Sequence, residues 1–354
     1  LKVLTIVGAR PQFIKAAPVS HALREHHGEF LLHTGQHYDA DMSDVFFKEL
    51  NIPAPNVNLG VGSGGHGTQT GAMLAGIEQH LLEQNPDWIL LYGDTNSTLA
   101  GALAASKLHI KVAHIEAGLR SFNRTMPEEI NRVLTDHVSD LLFCPTQTAV
   151  ENLTQEGITK GVHHVGDVMV DALYYAKTQI GKRAILTEHG LANADFYLAT
   201  IHRPANTDHY EHLSGIIEGF KQLATSIVLP MHPRLKASLE REGLSMPPNV
   251  KVIPPVGYLD MATLLDAAQI VITDSGGLQK ETYVMQRPCV TIRPETEWIE
   301  TVHAGWNRLC EPNPGAIQMA VQDALKPPPT DHPTFYGDGT AAQQIVNIMA
   351  QAHG

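Results

Sequence analysis

Residues 112–132, VAHIEAGLRSFNRTMPEEINR, gather three carboxylates and three arginines around a helix start. Val112, Ala113 and Ile115 read as a short buried strand that delivers Glu116 to its carboxyl end, the edge at which open α/β sheets place ligands. A carboxylate closing an apolar strand has to be desolvated, paired with a cation or set in a cleft, and those are the surroundings that make an acid useful for moving protons. Gly118 then breaks the strand. Met126-Pro127-Glu128-Glu129 predicts a helix, because proline suits the first helical position and carboxylates in the first turn complement the positive end of the helix dipole. Ile130, Val133, Leu134 and Val138 continue it at helical spacing. On this stretch alone Glu128 and Glu129 could equally be capping charges, with Glu128 and Arg132 forming a surface pair one turn apart.

Asp94 is placed like Glu116. It follows the predicted strand 88–92 within YGDTNST, ahead of the small-residue helix LAGALAASKL, although aspartate in this position also serves as a helix cap. Cations come from the first strand, where GARPQFIK turns into a helix with Arg10 at the turn and Lys15 one turn in. Free backbone N–H groups at that helix start favour an anion, and the two cations would add to them. Only one glycine is present, so this is not the GxGxxG dinucleotide fingerprint. Later, IVIT runs into Asp274-Ser275-Gly276-Gly277-Leu278-Gln279-Lys280-Glu281, a strand, a small-residue turn and a helix. Two glycines let backbone approach an anion closely, Ser275 adds a hydroxyl, and the helix start offers donors to a phosphate. Glu281 could accept from ribose hydroxyls or face water. His202-Arg203 closes another strand, and Arg293 one more.

Strands are predicted at 3–7, 30–33, 88–92, 112–115, 140–144 and in VHHVGD, then at 196–201, 227–229, 250–253, 270–273 and 289–292, with helical patterns between them. Two successive halves of this kind predict an α/β chain of two doubly wound Rossmann-like domains facing across a cleft, 1–168 and 169–338. The glycine-rich stretch GVGSGGHGTQTG fits a lid or a plain connection. At 354 residues, 43% of them hydrophobic and 18% charged, the chain is long enough for two cores. A net charge of -12 argues against general nucleic-acid or anionic-membrane binding, so an anionic ligand would need a local basic site. Twenty histidines occur without HExxH or zinc-spaced Cys/His pairs, and no metal is expected. Cys144, Cys289 and Cys310 are an odd number and read as buried reduced thiols. With no signal-peptide pattern ahead of the first strand and no run of eighteen apolar residues, a cytoplasmic protein is expected.

GARPQFIK, YGDTNST, HIEAGLR, PEEINR, the His202-Arg203 pair, DSGGLQKE and FYGDGTA occur in that order over nearly the whole chain. Together they resemble the non-hydrolysing UDP-N-acetylglucosamine 2-epimerases. The resemblance implies a fold like that of the GT-B glycosyltransferases, with UDP-sugar between the domains and a final helix, within 339–354, crossing back to the first. It implies chemistry with no cofactor: UDP is eliminated to leave a 2-acetamidoglucal and adds back after C2 is reprotonated on the opposite face. Such a sequence needs a base, an acid, and cationic donors for the diphosphate. By the same resemblance Asp94, Glu116 and Glu128 are the acid/base carboxylates and His202 contacts or protonates the leaving phosphate. Arg10, Lys15, Arg203 and Arg293 bind substrate, Ser275, Gly276 and Gly277 bind phosphate, and Glu281 binds ribose. A homodimer through first-domain helices is also implied.

The chain departs from the family pattern in three places. Pro204 and Ala205 stand where many bacterial members have an arginine and a glutamate that help bind a regulatory UDP-N-acetylglucosamine. Gly65-His66-Gly67-Thr68 stands where another arginine is expected, and losing two cations would weaken that second site. TEWIETVHAGWNRL resembles the subgroup acting on the 2,3-diacetamido glucuronic acid derivative, whose extra carboxylate His66 or Arg124 could face. A GT-B glycosyltransferase and a hydrolysing UDP-N-acetylglucosamine 2-epimerase are the alternative activities.

Overall fold

The computed structural model describes residues 1–36 and 49–353, with the side chain of Arg10 outside the description, and it divides into two units. Unit 1 comprises Leu1–Tyr175 and Phe335–Gly354, and unit 2 Ala176–Thr334. Unit 1 holds a seven-stranded parallel sheet of β1 (Lys2–Val7), β2 (Gly28–His33), β3 (Val57–Asn58), β4 (Trp88–Tyr92), β5 (Lys111–Ile115), β6 (Leu141–Cys144) and β7 (Val162–His164), in the order β3-β2-β1-β4-β5-β6-β7. Unit 2 holds β8 (Phe196–Thr200), β9 (Ser226–Pro230), β10 (Val250–Ile253), β11 (Ile270–Thr273), β12 (Cys289–Ile292) and β13 (Asn307–Cys310), in the order β10-β9-β8-β11-β12-β13. The strands are continuous apolar runs such as WILLY and IVIT because helices cover both faces of a parallel sheet.

Each unit starts in the middle of its sheet, winds outward for three strands and returns to wind the other way. The reversal leaves a crevice at the carboxyl ends between β1 and β4 in unit 1 and between β8 and β11 in unit 2, where doubly wound sheets hold ligands. Two glycines make the unit 1 crevice possible. A Cβ on Gly8 would lie 2.2 Å from Ser97 Oγ and 2.3 Å from Thr34 Oγ1, so only glycine lets the turn after β1 pass there. A Cβ on Gly101 would lie 2.7 Å from Leu91 Cδ2 and 2.8 Å from Ile6 Cδ1, which explains why helix Asn96–Lys107 is built of small residues and sits close on the sheet. Helix Ala341–His353 buries Ile345, Val346 and Met349 in unit 1 and packs against helix Arg10–Arg24. Its start is held by Asp171, whose Oδ1 accepts from the Ala342 N–H at 2.9 Å.

Two strands had no signal in the sequence. β3 is two residues long, and β13 reads Asn-Arg-Leu-Cys, with no apolar run to mark it. Asn307 is nevertheless 3% exposed, because its side chain bonds Thr291 at 2.8 Å, Gln279 at 3.1 Å and Thr301 at 3.2 Å. The three cysteines are buried free thiols, as their placement predicts, and burial pushes each up to about 12. Among the described residues no helix is long and apolar enough to cross a membrane.

Candidate active site

In unit 1 the register Tyr92↔Ile115 sets the ends of β4 and β5 side by side, and the Gly93 N–H extends the pairing to the Ile115 carbonyl at 3.0 Å. Asp94 and Glu116 therefore leave the sheet at one place. Asp94 is not the cap of the following helix. Thr95 takes that role by accepting from the Thr98 N–H, which frees the Asp94 carboxylate to pair with Arg132. Glu116 sits at φ 68°, a left-handed conformation that costs a residue with a side chain about 1–2 kcal/mol. Its carboxylate is 8% exposed and pairs with the Lys15 ammonium from the far end of the sequence. A Cβ on Gly93 would come within 3.2 Å of Glu116 Oε2 and 3.8 Å of Lys15 Nζ, so glycine leaves room for the pair. Burial alone would lower the Lys15 pKa. Glu116, with Asp167 and Asp94 further off, outweighs it, and the ammonium ends above its ordinary range.

Gln12 joins the two turns of this crevice. Its Oε1 accepts from the Gly8 and Ala9 N–H groups at 2.8 and 3.1 Å, and its Nε2 donates to the Tyr92 carbonyl at 2.7 Å. A second chain of amides reaches Asp94 from outside: Asn131 donates to the Asp94 carbonyl and to Asn96, Asn96 donates to Gln69 and His66 Nδ1, and Gln69 donates to the Gly62 carbonyl. The carbonyls at both ends fix every amide in the chain, so His66 accepts at Nδ1 and keeps its remaining N–H at Nε2. His66 is the exposed first residue of helix His66–Gln84.

The expected surface pair of Glu128 with Arg132 is not formed. Arg132 is taken by Asp94 and, at 3.0 Å, by Glu129. Glu129 is not a solvated capping charge either: it is 3% exposed and accepts from Ser121 N and Oγ at 2.9 Å and from Phe122 N at 2.8 Å. Burial alone would raise it, but those donors and Arg132 hold its carboxyl below the usual glutamate range. Its work is to fix the 118–126 loop. Glu128, next to it, is exposed and has no hydrogen bond or ion pair among the described residues, as is also true of Arg124.

In unit 2 the register Thr200↔Thr273 brings the His202 turn beside Asp274. Asp274 is fully buried and organises that turn, accepting from His202 N at 3.1 Å, Arg203 N at 2.9 Å and Asn206 Nδ2 at 3.1 Å. His202 Nδ1 lies 3.3 Å from Asp274 Oδ1, an orientation that leaves Nε2 for a ligand. Ser275 caps helix Gly276–Val284, and Gly277 opens to empty space. Over the first turn of that helix stands a carboxylate, Glu297, held by Arg293 through two 2.8 Å bonds and by Arg203 at 3.7 Å. A Cβ on Gly276 would lie 3.4 Å from Arg203 Nη2 and 3.6 Å from Glu297 Oε2. Arginines and helix start thus already face an anion. The Trp298 indole donates to the Gly276 carbonyl at 2.9 Å, and Lys280 lies over its ring at 4.4 Å. Glu281 is half-buried one turn along.

Unit 1 thus collects Asp94, Glu116 and Lys15, with Glu128 on the neighbouring helix, and unit 2 collects His202, Arg203, Ser275, Gly276, Gly277 and Arg293. The Arg10 side chain lies outside the described residues. A separate cavity of about 830 Å³ in unit 2, beside β13, shares only Arg293 with these residues. No group of three or more histidines, cysteines, aspartates and glutamates could hold a metal ion among the described residues. Sequence reasoning passed over Gln12, Asp274 and Glu297. Asp274 alone carried a usable signal, a carboxylate directly after a buried strand.

Fold and candidate residues together define a class, the α/β enzymes built from two doubly wound units. The family model described as UDP-N-acetylglucosamine 2-epimerase matches residues 21–350. A UDP-N-acetylglucosamine 2-epimerase homolog of Methanococcus maripaludis is 51% identical, covering 99% of both chains. The UDP-2,3-diacetamido-2,3-dideoxy-D-glucuronate 2-epimerase of Pseudomonas aeruginosa is 48% identical, over 99% of this chain and 100% of its own. Among solved structures, that of the Methanocaldococcus jannaschii UDP-GlcNAc 2-epimerase in complex with UDP-GlcNAc and UDP matches with a TM-score of 0.87 at 42% identity, over 99% of this chain and 100% of that one. The chain belongs to the UDP-N-acetylglucosamine 2-epimerase family. It is an isomerase, a UDP-sugar 2-epimerase with the family's GT-B-like fold.

Proposed function

We propose that the protein inverts C2 of a UDP-2-acetamido sugar without hydrolysing it, by eliminating UDP to a 2-acetamidoglucal and adding it back. The observation that carries this reading is the pair of cation-bound carboxylates, Asp94 with Arg132 and Glu116 with Lys15, delivered side by side by β4 and β5. A carboxylate in that position can accept a proton as a base and, once protonated, return it as an acid. Glu128, exposed and unpaired among the described residues, is the third member of the set. Unit 2 supplies the grip on the nucleotide: Ser275, Gly276 and Gly277 for a phosphate, Arg203 and Arg293 for its charge, Glu281 for the ribose, and His202 Nε2 for the leaving oxygen. Arg10 would add a cation at the diphosphate. The protein works as a homodimer and needs no cofactor.

Two substrates fit this chemistry, UDP-N-acetylglucosamine and its 2,3-diacetamido uronic acid derivative. Arg124, an exposed cation without a partner among the described residues, favours the uronate, because a sugar carboxylate would supply the missing anion. Incubation with each UDP-sugar followed by NMR of the products decides between them. The expected product is the 2-epimer still bound to UDP. Stoichiometric free UDP would mark a hydrolysing enzyme, a glycoside formed on an added acceptor would mark a transferase, and either would overturn the proposal.

A further inference from the structure

His114 is fully buried in β5, and both of its ring nitrogens meet acceptors. Nδ1 lies 2.7 Å from Asp136 Oδ1, and Nε2 lies 2.7 Å from the Gly93 carbonyl oxygen. A neutral imidazole carries one N–H, so it satisfies one of these acceptors and turns a lone pair toward the other. The carbonyl has no proton to give. Nor has Asp136: burial would raise its carboxyl, but His114 and Arg120 outweigh burial and hold it below the ordinary aspartate range. Its second oxygen is occupied by the Arg120 guanidinium at 2.7 Å and the Gly118 N–H at 3.0 Å. Arg120 in turn donates two hydrogen bonds to the Glu156 carboxylate, at 2.7 and 2.8 Å. With His114 doubly protonated, two positive and two negative charges balance in this network.

We infer that His114 is an imidazolium and the positioning residue for the two candidate carboxylates, an inference that rests on the roles proposed above for Asp94 and Glu116. The network's backbone partners give the reason. Gly93, whose carbonyl takes the Nε2 proton, immediately precedes Asp94. Gly118, whose N–H is held by Asp136, follows Glu116 by two residues and closes its left-handed turn. Asp136 belongs to helix Pro127–Val138, which also carries Glu128, Glu129 and Arg132. One buried ion pair therefore ties the end of β4, the end of β5 and that helix to a single point, and removing its second N–H would leave a buried carbonyl facing a lone pair. None of these groups needs to touch substrate.

The test has two arms. His114→Gln puts an amide in place of the ring and removes its two opposed donors. It is expected to lower kcat about a hundredfold while KM for the UDP-sugar stays within about twofold, because displaced acids and bases slow the chemistry rather than binding. UDP affinity, assigned mainly to unit 2, should not move, since the network touches none of the groups proposed to bind the nucleotide. A kcat near that of the parent, or a rise in KM alone, would overturn the inference. The second arm uses the unaltered protein and so survives a variant that does not fold. In ¹⁵N NMR at about pH 8, where an unperturbed histidine is neutral, one histidine ring should show both nitrogens protonated and exchanging slowly. If every slowly exchanging ring has one bare nitrogen, His114 is not an imidazolium. Absence of epimerisation by the unaltered protein would count against the proposed function, and the NMR result would still decide the ring's state.

Discussion

Units 1 and 2 share one device, the carboxyl edge of a doubly wound parallel sheet at its point of reversal, and load it in opposite ways. In unit 1 the strand ends carry carboxylates, and cations arrive from helices to pair with them: Lys15 with Glu116, Arg132 with Asp94. In unit 2 the strand ends carry His202, Arg203 and Arg293, and a carboxylate from the following loop, Glu297, fills the space among the cations. The difference follows from what sits beneath. Under unit 1's turns lies the His114–Asp136–Arg120 network, which holds the Gly93 carbonyl through His114 and the Gly118 N–H through Asp136, whereas under unit 2's turns lies Asp274 alone, which gathers N–H groups. The first arrangement presents the carboxylates proposed to exchange protons, the second the donors proposed to hold an anion. The proposed division of labour between proton transfer and nucleotide binding follows this difference in what each sheet edge presents.

The division breaks most visibly at Glu116. Glu116→Gln removes one of the proposed acid/base carboxylates and leaves the unit 2 anion site alone, so turnover should fall about a thousandfold with UDP affinity unchanged; a matching loss of UDP binding in calorimetry would dissolve the distinction between units. Arg203→Ala is the mirror experiment. UDP should bind more weakly by about tenfold or more, the worth of one charged hydrogen bond, while proton exchange at C2 of already bound substrate continues. Glu297→Gln sharpens the contrast through its sign. If Glu297 occupies the anion's place, its neutralisation frees Arg203 and Arg293, and UDP should bind about three- to tenfold more tightly; weaker binding would mean that Glu297 only orients the arginines.

The smallest effect concerns stability. Burial lifts Asp171 to about 6, and its Oδ2 has no partner in the described structure. Between about pH 4 and pH 6 the folded state thus holds a proton that the unfolded chain has released. Stability from this group is complete below about pH 4 and disappears as pH rises through about 6, a change of at most about 3 kcal/mol. Asp171→Asn should flatten the urea midpoint over that window and leave kcat unchanged. An unaltered slope would place the proton elsewhere.

Much of this was legible in the sequence because it was local. Apolar runs marked most of the strands, and a carboxylate close after such a run marked Asp94 and Glu116. β13 was missed because Asn307 and Arg308 owe their places to long-range bonds rather than to an apolar pattern. Glu129 looked like a cap because Pro127 precedes it, while the loop that buries it folds back through Ser121 and Phe122. Lys15 and Glu116 are separated by 101 positions, and nothing in either segment names the other. Sequence supplied the charged groups, and only the fold supplied their partners.

Proton exchange at C2 reports most directly on the central claim. The protein is incubated in heavy water with UDP-N-acetylglucosamine and, separately, with the 2,3-diacetamido uronate, and C2 is followed by NMR. Epimerisation through carboxylate-borne protons predicts one solvent deuterium at C2 in the product, appearing with the Asp94 and Glu116 carboxylates intact and vanishing in Asp94→Asn. An inverted product that retains its original hydrogen would contradict the account.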